Sequence, residues 1–99
     1  MKDRIENIFP GEILEEEFLK PLNVTAYRLA KETRIAPTRI SEILKNKRKI
    51  TANTALRFSK YFGNSPDFWL GIQIEYDLRK ELEKHEAEIA LIKRMKRAV

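Results

Sequence analysis

Apolar residues recur at helical spacing along this chain, and the pattern changes phase most sharply between Tyr27 and Leu44. Leu29, Ala30 and Thr33 share one helical face, Ile35 interrupts it, and Ile40, Ile43 and Leu44 open a new face a few residues on. So short a connection forces two helices to cross rather than run on, which is the helix-turn-helix arrangement. The second helix of that arrangement can enter a DNA major groove.

The remaining punctuation predicts five helices in all and no convincing strand. Pro10 and Gly11 open the first helix, whose apolar residues Ile13, Leu14, Phe18 and Leu19 recur before Pro21 stops it, with Glu12, Glu15, Glu16 and Glu17 on the exposed face. Thr25 is placed to cap the second helix, which runs to about Thr33, and Pro37 fits the first turn of the third, where a missing N–H costs nothing. Thr51 or Asn53 caps a fourth helix that buries Ala55, Leu56, Phe58 and Phe62 and ends at Gly63. Ser65, Pro66 and Asp67 start a fifth, carrying Phe68, Trp69, Leu70, Ile72, Tyr76 and Leu78. It continues, with or without a break near Gly71, through the charged stretch to Val99.

Charge sharpens this picture because it is segregated. The chain carries +5 overall, yet residues 23–62 alone hold ten Lys/Arg against Glu32 and Glu42. An excess of cations confined to the segment that reads as a helix-turn-helix is expected if they replace counterions on a phosphate backbone. Composition sets the outer bounds. Ninety-nine residues suffice for one domain (1–99, core 10–78) with a modest core, and with no Cys and one His neither a disulfide framework nor a structural zinc site is expected. No apolar run approaches the ~20 residues of a membrane span, and the charged N-terminus lacks a signal peptide's apolar region, so a cytoplasmic protein is expected.

Candidate DNA contacts follow from position. Pro37, Thr38, Arg39, Ser41 and Glu42 lie at the start and along the outer face of the third helix. Arg39 is suited to donate bidentately to guanine and Glu42 to accept from cytosine; the competing assignments are a phosphate contact for Arg39 and an ion pair with a nearby cation for Glu42. Lys45, Asn46, Lys47 and Arg48 follow in a loop and suit phosphate, or else form a solvated charge run. Thr25 and Tyr27 start the second helix, where backbone N–H groups and the dipole favour phosphate, although Tyr27 also suits a core position. Along the last helix, Leu78, Leu82, His85, Ile89, Ile92 and Val99 recur at alternating spacings of four and three, interrupted by Lys96, with Met95 beside the stripe. That stripe needs a partner, either the other protomer or a bound protein, unless it folds back on its own domain. Phe68, Trp69, Ile72, Tyr76, Leu82, Ile89 and Ile92 form the candidate interface. No HExxH, phosphate loop, nucleophile elbow or His/Asp/Glu cluster supports an enzyme, and no cofactor or metal is expected.

Three blocks then carry a resemblance: Pro10 to Leu14 with Glu17-Phe18-Leu19; Tyr27 to Lys31 through Ile40 to Ile43; and Ile50 to Arg57 with Phe68-Trp69-Leu70 and Tyr76-Asp77-Leu78. In these the chain resembles the HigA-type antitoxins, also called VapI-like regulators, within the phage-repressor-like (XRE) helix-turn-helix family. The resemblance implies an all-α, five-helix repressor-like domain with an extended C-terminal helix. It also implies a homodimer that binds operator DNA, represses its own operon and in many members neutralises a RelE-like toxin that cleaves messenger RNA. Two protomers would place their third helices about 34 Å apart, so the operator should be an inverted repeat. A stand-alone regulator without a toxin is the alternative. Arg34 and Asn46 stand where relatives usually have glycine, which points to a strained or differently shaped turn at Arg34. Gly71 stands where Asn is usual.

Overall fold

A computed structural model describes residues 7–96, and all regular elements among them are helical. Helix α1 is built of three consecutive segments, Pro10–Ile13, Leu14–Leu19 and Lys20–Leu22. Four further helices follow: α2 (Ala26–Thr33), α3 (Pro37–Leu44), α4 (Ala52–Phe62) and α5 (Pro66–Ala90). None of them is long and apolar enough to cross a membrane.

The middle segment of α1 is wound in wide, π-type turns, in which the Lys20 N–H reaches back five residues to the Glu15 carbonyl. This corrects the expected stop at Pro21. A proline ring ordinarily collides with the carbonyl four residues before it, but the wide turn shifts those carbonyls off the α-helical register. The chain therefore stays helical through Leu22 and leaves at Asn23, φ 57°.

Caps set the other boundaries as the sequence implies. Thr25, Thr51 and Ser65 accept from the backbone N–H groups of Arg28, Thr54 and Asp67, at 3.0, 3.4 and 3.0 Å. Helices α1, α2 and α3 end alike, on left-handed Asn23, Arg34 and Asn46. In each case the next N–H turns back five residues: Val24 to Leu19, Ile35 to Ala30 and Lys47 to Glu42. This motif satisfies carbonyls that a helix end would otherwise leave unpaired.

Leu14, Leu29, Ile40, Ile43, Ala55, Phe58 and Trp69 close the core around an aromatic cluster. The Trp69 ring lies 4.7 Å from that of Phe18 and 5.1 Å from that of Phe58, and its Nε1 donates to Asn64 Oδ1 at 2.9 Å. Trp69 thus belongs to the core of its own domain and not to a surface, because it starts α5 directly over α1 and α4. Leu56 departs in the opposite sense: it is 59% exposed, since the buried face of α4 is taken by Ala55, Phe58 and Ser59.

Helix α5 passes Gly71 without a break and is interrupted instead at His85 (φ −122°, ψ 22°). It ends at Ala90, so Ile92 lies beyond the helix, and Val99 lies outside the described residues. Leu78, Leu82 and Ile89 are exposed, as is Ile74. Among the described residues the stripe does not fold back on its own domain.

Candidate nucleic-acid interface

The turn between α2 and α3 is held by hydrogen bonds to its own backbone, with the Arg34 and Ile35 N–H groups turned back to the Lys31 and Ala30 carbonyls. Thr33 donates its hydroxyl to the Leu29 carbonyl at 2.6 Å, and Ile35 is buried beneath the turn. Arg34 takes the left-handed conformation (φ 61°, ψ 38°), so the turn keeps the geometry a glycine would give, at the expense of a crowded Cβ. Arg57, from α4, donates through Nη1 to the carbonyls of Thr33 and Arg34 at 3.0 and 3.1 Å.

Helix α3 then lies across this turn with Ile40 and Ile43 in the core. Its C-terminal end rests on α1 at Gly11, where a Cβ would stand 2.0 Å from the Ile43 carbonyl oxygen. The side chains pointing away are the candidates named from sequence. Pro37 and Thr38 are exposed and Ser41 is half-buried. Arg39 is half-buried as well: its Nη2 donates to Asn53 Oδ1 at 3.1 Å, and its Nε is buried without a partner. Glu42 faces Arg48, Nε to Oε1 at 2.7 Å, so in the unliganded protein it has the ion-pair partner that competes with a base.

The cationic loop beyond α3 is ordered by α5. Asn46 donates to Tyr76 Oη at 2.8 Å, and Lys49 pairs with Asp77 at 3.1 Å. The buried Gln73 accepts from the Ile50 N–H at 2.8 Å and donates to Asp77 at 3.1 Å. A shallow cleft of about 310 Å³ lies between the loop and α5, lined by Asn46, Lys47, Arg48, Tyr76 and Lys80 among others. Lys45 and Lys47 are exposed and have no side-chain partner among the described residues. At the start of α2, Tyr27 is 69% exposed, which removes it from the core, while the Thr25 hydroxyl is engaged as the cap.

At the surface between α2 and α4, Arg28 pairs with Glu32, and Glu32 also accepts a short hydrogen bond from the Tyr61 hydroxyl. The Tyr61 hydrogen bond, with lesser help from Arg28, holds the Glu32 carboxyl below its ordinary 4.5 against the opposing effect of burial. The same bond holds the Tyr61 hydroxyl above its ordinary 10.0.

Thr38, Lys45, Asn46, Lys47 and Arg48 are thus exposed along α3 and its loop, with Arg39 and Ser41 half-buried among them and exposed Thr25 and Tyr27 at the start of the neighbouring helix. Sequence reasoning missed the supports: Asn53 and Arg57 behind Arg39, and Gln73, Tyr76 and Asp77 behind the loop. Asn53 and Arg57 are one helical turn apart, so their mutual contact is legible; their reach to α3 and the turn is not.

A protein-family profile described as Helix-turn-helix matches residues 16–69. Virulence-associated protein I of Dichelobacter nodosus is 46% identical over 91 residues, spanning 92% of this chain and 83% of that protein. A solved Pseudomonas aeruginosa antitoxin HigA with higBA promoter superposes with a TM-score of 0.86 at 30% identity, over 92% of this chain and 100% of that one. Antitoxin GraA in complex with its operator superposes with a TM-score of 0.85 at 35% identity, over 98% and 99% of the two chains.

Proposed function

The chain belongs to the helix-turn-helix family, in its HigA-type, VapI-like branch, and from that premise we propose that it is a sequence-specific repressor serving as the antitoxin of a toxin–antitoxin pair. The observation that carries this reading is the run of exposed polar and cationic side chains along α3 and its loop, in a fold that superposes over nearly its whole length on an antitoxin bound to its operator. Thr38 and Arg39 read bases, whereas Lys45, Lys47 and Arg48, with Thr25 and Tyr27, hold phosphates. Glu42 exchanges its Arg48 partner for a base donor or keeps it, and Ser41 supports either use.

Two protomers present their α3 helices to successive major grooves, so the operator is an inverted repeat. The exposed apolar stripe of α5 is the surface for the second protomer or for a RelE-like toxin. The protein acts in the cytoplasm, and no catalytic step is part of this reading.

The test is equilibrium binding to the DNA upstream of its own gene and to a random duplex of equal length, at one salt concentration. Binding tighter by at least about 10³-fold on the upstream DNA is expected. Equal affinities would remove the repressor reading. Copurification with the product of an adjacent short reading frame tests the antitoxin role, and its failure with operator binding intact would leave a stand-alone regulator.

A further inference from the structure

We infer that Asn53 is a positioning residue for sequence reading: its Oδ1 holds the Arg39 guanidinium in place on the DNA-facing surface before DNA arrives. The inference rests on the base-reading role proposed for Arg39. Asn53 sits in the first turn of α4, and its side-chain oxygen accepts from two guanidinium groups, Arg39 Nη2 at 3.1 Å and Arg57 Nε at 3.0 Å. Arg57 is itself anchored, through Nη1, on the carbonyls of Thr33 and Arg34 in the turn. Recognition helix, turn and α4 are thereby joined through one amide.

The chemistry of that amide is specific. Both partners can only donate, so the oxygen must face them and the NH₂ must face away. An aspartate here would accept equally well but would neutralise the guanidinium charge that guanine acceptors and phosphates attract. Asparagine orients Arg39 and leaves its charge intact. Two cations on one neutral acceptor are an arrangement that an electronegative partner completes. Arg39 Nε is buried without a partner, so the side edge of the guanidinium is turned into the protein. The end edge keeps Nη1, which makes no hydrogen bond among the described residues and remains to meet a base. A long side chain fixed in this way loses less freedom on binding, and the advantage goes to the DNA whose acceptors fit that fixed edge.

The experiment measures affinity for the upstream DNA and a random duplex, at fixed salt, for the wild type, Asn53→Ala, Asn53→Asp, Arg39→Ala and the Asn53→Ala/Arg39→Ala double variant. Asn53→Ala is expected to reduce the ratio of the two affinities by about five- to tenfold while changing random-duplex affinity less than about twofold, and to leave the ratio nearly unchanged once Arg39 is absent. Asn53→Asp keeps the acceptor, so the ratio should stay near wild type while both affinities fall. Thermal melts of each variant establish that it is folded.

Equal losses on both duplexes in Asn53→Ala, or an undiminished Asn53→Ala effect in the Arg39→Ala background, would overturn the inference. Loss of the ratio in Arg39→Ala with its retention in Asn53→Ala would overturn the positioning role alone and leave base reading by Arg39 standing. Retention of the ratio in Arg39→Ala would remove base reading and the positioning role together.

Discussion

Arg34 is the residue where local preference and fold disagree most plainly. It adopts φ 61° at a position that favours glycine, and the turn survives because its N–H bonds to Ala30 and Lys31 while its carbonyl accepts from Arg57. Arg34→Gly should therefore raise stability by about 1 kcal/mol, visible as a higher denaturant midpoint at unchanged slope. A lower midpoint would mean that the Arg34 side chain contributes more than its Cβ costs. Gly11 is the opposite case. Gly11→Ala drives a methyl into the Ile43 carbonyl, backbone that cannot step aside without moving α3, and should cost roughly 3 kcal/mol or more. Among the loop cations, Lys47 is free of an ion pair whereas Arg48 is held by Glu42. Lys47→Ala should lower affinity on all DNA and reduce the slope of log K against log salt by about one unit. An unchanged slope would return Lys47 to solvated charge.

At the scale of elements, α2 and α4 are tied by Glu32 and Tyr61, and the tie has a pH signature. The Glu32 carboxyl is held below 4.5, so its contribution is fully present above that value and is lost as pH falls through the lower, folded value. The Tyr61 hydroxyl is held above 10.0, so its contribution is fully present below that value and is lost as pH rises through the higher, folded one. The gap in melting temperature between wild type and Tyr61→Phe should thus be widest near neutrality and narrow at both extremes. A gap constant across pH would assign the effect of Tyr61 to packing alone.

Across the whole molecule, the unpartnered surface is α5 beyond the core. Ile74, Leu78, Leu82 and Ile89 stand exposed on a helix about 37 Å long. Covering each would contribute roughly 1.5–3 kcal/mol before ordering costs are subtracted. The Leu82→Glu/Ile89→Glu variant should accordingly shift sedimentation toward monomer or lose the copurified toxin, with the thermal melt of the domain little changed. A variant that remains a tight dimer and still holds its partner would show that the stripe is not the interface. Ile72 and Tyr76, expected in the same interface, are partly taken up by their own domain, Tyr76 through Asn46.

Helix number, the crossing of α2 on α3, the caps at Thr25 and Ser65 and the concentration of cations were determined by the sequence alone, whereas the cap of α4 was left between Thr51 and Asn53 until the structure gave it to Thr51. They depend on spacing, on backbone preferences within a few residues and on charge summed over a segment. The passage of α1 through Pro21 was not legible, because it depends on a change of hydrogen-bond register that no single residue announces. Nor was the burial of Trp69, since the same spacing serves a core or an interface until the packing of α1 and α4 against α5 is known. The roles of Asn53, Arg57, Gln73 and Asp77 were likewise decided by tertiary structure. Each acts through a hydrogen bond to residues far away in sequence, and such partners meet only when the helices pack.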